Sequence, residues 1–174
     1  MAFGVVRTDN LAATDVRSML VSIKYIVTTG SGASAVDTET AIENGNVLKV
    51  GPLINGEREI YKGTAPAAGD NIEDIVLVAT PELMYDERKR NLDEFINEAG
   101  RPARGYKLHT GDVFSVTKDA LDGKAKPAVG DKVELKAGTK LNVAASATSG
   151  STQVGTIIAV DVVGRYTYYA IRVA

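Results

Sequence analysis

The chain of 174 residues has no cysteine and no tryptophan, a single histidine and five prolines, and aromatic residues make up only 6% of it. Without cysteine there is no disulfide, no thiolate zinc site and no cysteine nucleophile, so stability has to come from packing and assembly. Charge of one sign is lacking as well: 20 Lys and Arg stand against 22 Asp and Glu, a formal net charge of -2. No basic stripe stands out, which excludes a phosphate-tracking surface and leaves no nucleic-acid partner to expect. Long hydrophobic runs are missing too. The best, Thr156 to Val163, is interrupted by Asp161 and is far short of the roughly 20 residues of a membrane span, so no membrane partner is expected. The opening residues, Met1 to Asn10, lack a basic segment followed by a long apolar run and read as an extended arm rather than a secretory signal.

What is present is a period of two. Met19, Val21, Ile23, Tyr25 and Val27 fall on one face of a strand, with Ser22 and Lys24 opposite. Val47–Val50 and Glu59–Lys62 read as strands flanking a loop, Gly51 to Gly56, and are expected to form a hairpin. Ile75 to Ala79 is apolar without alternation, as suits a central strand covered on both faces, and Pro81 marks its end. Val113–Val116 is a further strand. Lys132–Lys136 and Lys140–Val143 form an antiparallel pair around Ala137-Gly138-Thr139, with Val133, Leu135, Leu141 and Val143 inward. Val154 to Val163 and Tyr166 to Val173 make a last hairpin, joined at Gly164-Arg165. One segment departs from the pattern. Leu92, Phe95, Ile96 and Ala99 stand at i, i+3, i+4 and i+7, with Gly100 after them, and predict a short helix. The fold class is therefore mainly β: an antiparallel barrel or sandwich with one short helix and an extended N-terminal arm. In domain terms, residues 1–15 form the arm and 16–174 a β-rich domain, with a composition boundary near 100–105 that can divide it.

Catalytic and ligand motifs are weak. Gly30-Ser31-Gly32-Ala33-Ser34-Ala35 fits the glycine pattern of dinucleotide-binding turns, but no βαβ unit surrounds it and a Gly/Ser loop is the better reading. His109 cannot build a two-histidine metal site, and Ser115 lacks the Gly-x-Ser-x-Gly elbow of a nucleophile. The carboxylates Asp70, Glu73, Asp74, Asp86, Glu87, Asp93 and Glu94 form acidic groups that match no calcium loop. No catalytic residue, cofactor or resident metal is expected, and the protein is not expected to be an enzyme. The residues that offer an interface are those of the arm, Phe3, Val5, Val6 and Arg7, and those of the tyrosine-rich last strand, Arg165, Tyr166 and Tyr168, since Tyr and Arg favour interface cores. Such an arm is either disordered or docked on a partner. Along the last strand Tyr166 and Tyr168 point to one face, Tyr169 and Ile171 to the other.

Several segments carry a resemblance. Glu43-Asn44-Gly45, Leu48-Lys49-Val50-Gly51, Gly56-Glu57-Arg58-Glu59, Leu77-Val78-Ala79-Thr80-Pro81-Glu82 and Asn97-Glu98-Ala99-Gly100 come first in order. Gly105-Tyr106-Lys107-Leu108, Gly111-Asp112-Val113-Phe114-Ser115-Val116, Val129-Gly130-Asp131 and Ala170-Ile171-Arg172-Val173 follow. Together, over roughly Glu43 to Ala174, they resemble the capsid decoration (cement) proteins of tailed bacteriophages. The resemblance implies a β-rich subunit on the outer surface of an icosahedral capsid, a homotrimer near local threefold axes, made in the host cytoplasm and binding the major capsid protein to stabilise the shell. It carries over no active residue. Two other readings stand beside it: a β-barrel ligand- or carbohydrate-binding module whose pocket the tyrosines line, and a head-fibre or minor capsid protein.

Overall fold

Alternating apolar residues at so many places can be buried only if strands form sheets whose apolar faces meet. The structure, a computed structural model, describes residues 3–7, 20–84, 86, 88 and 91–174. Among them are twelve strands in two six-stranded sheets. The first sheet holds β1 (Leu20–Thr29), β2 (Val36–Glu39), β3 (Val47–Leu53), β4 (Ile60–Thr64), β5 (Ile75–Val78) and β6 (Ala103–Lys107). The second holds β7 (Val113–Thr117), β8 (Leu121–Gly123), β9 (Lys132–Glu134), β10 (Leu141–Ala144), β11 (Gln153–Val163) and β12 (Tyr166–Val173).

The first sheet closes on itself. Its order is β2-β1-β4-β3-β5-β6, and β1 also pairs with β6, so five strands make a small barrel while β2 pairs with the outer half of β1. β1 runs parallel to β4 through Ser22–Tyr25 and antiparallel to β6 through Leu20–Ile23. Ile23, Leu48, Val76, Val78 and Ala103 fill the barrel with Ile42, and Val21, Tyr25, Val50 and Tyr61 pack at its ends. The hairpin of β3 and β4 forms as expected, but β3 runs on through Gly51-Pro52-Leu53. A register shift between Val50 and Leu53 takes up the proline, which cannot donate to the ladder.

The second sheet has the order β7-β12-β11-β9-β10-β8 and contains the expected pairs of β9 with β10 and β11 with β12. Its inner face packs on the outside of the barrel. Val47, Ile75 and Leu77 on the outer face of β3 and β5 join Phe114, Val116, Val133, Leu135, Leu141, Ile157 and Ile171 in one cluster. β5 is thus buried on both faces, which is why Ile75–Val78 shows no alternation. Backbone hydrogen bonds from Val47 to Thr139 (2.7 Å) and from Thr152 to Ala68 (2.7 Å) tie the two sheets directly. The chain passes between sheets at residues 108–112, just after the expected composition boundary near 100–105.

Three expectations need correction. The segment around Leu92–Ala99 is no α-helix: a single 3-10 turn, Leu92–Glu94, is followed by extended backbone. The Glu94 carboxylate accepts hydrogen bonds from the Asn91 N–H and side-chain amide and closes that turn, while Asn97 exchanges two backbone hydrogen bonds with Ile42 (2.9 Å each). Four apolar residues at helical spacing do not repay helix nucleation when the backbone has a better partner. The sheets are not purely antiparallel either, since β1 pairs with β4 and β8 with β10 in parallel. Finally, Phe3–Arg7 docks on its own chain; Met1, Ala2 and the rest of the expected arm, from Thr8 to residue 15, lie outside the described residues, as does Met19.

A junction of the N-terminal segment, the last hairpin and the Asp93 turn

Val5 and Val6 carry the apolar side chains that a short arm cannot bury alone, and β7 supplies a sheet edge. Val6 bridges to Val116 in antiparallel register. The Thr117 N–H donates to the Val5 carbonyl (2.9 Å), the Arg7 N–H to the Ser115 carbonyl (2.9 Å), and the Val5 N–H to Thr117 Oγ1 (3.1 Å). Val5 and Val6 are buried, Val6 within the shared core. At Gly4 a Cβ would lie 3.0 Å from Ala120 Cβ and from the Asn44 carbonyl, so the backbone passes close to the body. The Gly4 N–H donates to Glu43 Oε2 (3.2 Å).

The last hairpin meets this segment. Tyr166 and Tyr168 share a face of β12, their ring centroids 6.0 Å apart, whereas Tyr169 and Ile171 face the core, as the strand alternation requires. The Arg7 guanidinium lies 5.6 Å from the Tyr168 ring centroid and that of Arg165 lies 4.9 Å from Tyr166. The Tyr166 hydroxyl donates to Asp93 Oδ1 (3.0 Å), and Arg165 pairs with the same carboxylate. The Phe3 N–H donates to the Asp93 carbonyl (3.2 Å). The structure therefore gathers all seven expected interface residues, Phe3, Val5, Val6, Arg7, Arg165, Tyr166 and Tyr168, at one place. It engages them with one another and with Asp93, with Val5, Val6 and Tyr168 buried.

Beneath them lies a polar knot that sequence reasoning missed. The buried Asn44 side chain donates to the Thr80 carbonyl (2.8 Å) and accepts from the Thr80 N–H (3.0 Å) and Asn97 Nδ2 (3.1 Å). Asn97 Nδ2 also reaches the Ile42 carbonyl (3.0 Å). Residues from three of the segments quoted above, around Asn44, Thr80 and Asn97, thus meet where the N-terminal segment crosses the barrel. The sequence offered only Asn44 before Gly45 and Thr80 before Pro81, and the partners of Asn44 stand 36 and 53 positions away. An open cleft of about 410 Å³ lies alongside, between Thr80–Met84 and Phe95–Pro102.

The other candidates fall elsewhere. Gly30–Ala35 is the loop between β1 and β2, with a 3-10 turn at Gly32–Ser34. His109 is exposed in the turn before β7, 3.8 Å from Asp112, while Ser115 is buried within β7. Among the described residues no group of three or more His, Asp or Glu comes together as a metal site. Two carboxylates are buried as structural acceptors. Asp131 receives Lys124 Nζ (2.8 Å) and the Ala128 N–H (2.7 Å), which hold it below the usual carboxylate range. Burial pushes Glu134 up, but the Thr148 hydroxyl (2.6 Å) and N–H (2.9 Å) and the Asn142 amide (2.8 Å) outweigh it and hold the group down.

Compared with family models, curated proteins and solved structures, the chain gives no match.

Proposed function

We propose that the protein is a structural virion subunit, a decoration protein that binds the outside of an assembled tailed-phage capsid and stabilises it by bridging major capsid subunits. The observation that carries this reading is the placement of exposed apolar side chains on separate hairpins of one interlocked body. Val36 lies on the β1–β2 ribbon, Leu20 at the opposite end of β1 beside β6, Leu53 at the β3–β4 turn, and Ile158, Val160, Val162 and Val163 on the β11–β12 ribbon. Attachment points spread over a rigid β body suit a subunit that touches several neighbours at once, where weak contacts multiply. A subunit that binds only the assembled shell stabilises it by mass action. The carbohydrate reading has less support, because the tyrosines that a sugar platform would expose are engaged: Tyr168 is buried beside Arg7, and Tyr166 is held by Asp93 and Arg165.

The test is co-sedimentation with capsids that lack the protein. Saturable, stoichiometric pelleting with a raised shell melting temperature is the expected result. The double variant Val36→Lys with Leu53→Lys, both on exposed positions, is expected to lower occupancy at least tenfold while its own unfolding curve is unchanged. A folded protein that stays in the supernatant with capsids present overturns the reading.

A further inference from the structure

The second sheet protects its edges unevenly. One flank, β7, is covered by Val5–Arg7 of the same chain. The other ends in β8, only three residues long. Inside the sheet, β11 has strands on both sides only as far as Thr156, where its pairing with β9 stops. Ile157 still exchanges hydrogen bonds with Gly130 and Asp131. Among the described residues, nothing pairs with the outer side of β11 from Ile158 to Val163, although β12 continues along its inner side. This stretch, Ile158-Ala159-Val160-Asp161-Val162-Val163, has five apolar residues, one charge, no proline and no lysine. Apart from the register shift between Ile157 and Ala159 in its pairing with β12 and the single Asp161, it carries none of the devices by which proteins blunt an open edge. Its large side chains are exposed, Val162 by 73%.

The turn fixes which backbone groups face outward. Gly164-Arg165 is a two-residue connection, so Val163 and Tyr166 form its hydrogen-bonded closing pair. Along an antiparallel ladder the bonding direction then alternates, and Val160 and Val162 present their N–H and C=O groups to the open side. We infer that this edge pairs with the same edge of a second copy, the two β11 strands running antiparallel across a twofold axis.

A second copy is the occupant that fits because the segment can pair with itself while its carboxylates stay apart. With Val160 opposite Val160, Val162 faces Ile158 and each Asp161 faces Ala159, so the carboxylates stay apart. Shifting the partner so that Val160 faces Val162 sets Asp161 directly against Asp161, which like charges disfavour. The favoured register joins the two second sheets into one continuous sheet through an isologous contact. It differs from the trimer that the resemblance implies, and it does not rest on the capsid reading.

The experiment is light scattering on the full chain over a concentration series, with no capsid present. The expected mass is twice the 18.4 kDa of one chain. Val160→Lys with Val162→Lys returns it to one chain without changing the thermal unfolding curve. Because the chain has no cysteine, Val160→Cys gives a covalent dimer on mild oxidation, while Val129→Cys, at an exposed position away from the edge, does not. Masses of one chain at every concentration or of three chains, a dimer that survives the lysine pair, or a Val160→Cys chain that fails to cross-link each overturn the inference.

Discussion

Gly63 and Gly105 stand where β4 and β6 face the inside of a barrel only five strands around. A Cβ on Gly63 would lie 2.7 Å from Ile23 Cγ1, and one on Gly105 2.8 Å from Val76 Cγ2. Both neighbours are fixed core side chains, so the added methyl forces strain rather than filling space. Gly63→Ala and Gly105→Ala are each expected to cost about 1–3 kcal/mol, read from urea denaturation midpoints. Glu134 is the second residue with a clear consequence. Its folded-state pKa lies below the ordinary 4.5, so its stabilising contribution is fully present above about that pH and is lost as pH falls through the folded value. Asp131 acts in the same direction from its ordinary 3.8. The thermal midpoint is therefore expected to fall as pH drops from about 5 to 3. Glu134→Gln flattens part of that fall, at a cost of about 1–3 kcal/mol near neutral pH, and a midpoint series against pH checks both.

At the scale of elements, the N-terminal segment behaves as an added strand. Its hold on β7 is short but specific, combining backbone bonds, two buried valines and the Arg7–Tyr168 contact. Val5→Ser with Val6→Ser removes the apolar anchor while leaving the β7–β12 ladder in place. The Thr117 amide, which donates to Val5, is then expected to exchange with solvent at least tenfold faster, while amides bonded within the β7–β12 ladder keep their protection; hydrogen exchange by NMR separates the two. The Asp93 turn shows the opposite balance. Its sequence carries a helical spacing, yet Asn91, Glu94 and Asn97 give the backbone and side chains partners that an α-helix would have to break. Local periodicity in a window of eight residues loses to such contacts.

At the scale of the molecule, the barrel and the second sheet share a core, so neither surface is complete alone. Leu77 belongs to β5 of the barrel but packs into the cluster with Phe114, Ile157 and Ile171. Leu77→Ala is expected to cost about 2–5 kcal/mol. The loss appears in one unfolding transition, in which amide NMR signals of the barrel and of the second sheet, followed separately, disappear together. Two separate transitions would show that the sheets fold as independent units. A body joined in this way keeps the β1–β2 and β11–β12 ribbons at fixed spacing, as a subunit bridging neighbours needs.

The sequence alone determined what is local. Alternation in Val21–Tyr25, Val133–Leu135 and Leu141–Val143, the unbroken apolar run of β5 and the Gly164-Arg165 turn were legible because side-chain period and turn chemistry depend on neighbouring residues. The faces of Tyr166, Tyr168 and Tyr169 followed from the same period. The tertiary structure alone decided how the strands join: the closure of β1 on both β4 and β6, the seating of Val5 and Val6 on β7, and the knot of Asn44, Thr80 and Asn97. The short strands β2, β6 and β8 also went unread, since three to five residues carry too little period without their partners. Each of these depends on hydrogen bonds and packing between residues tens of positions apart, and no local pattern encodes which distant edge a strand will meet.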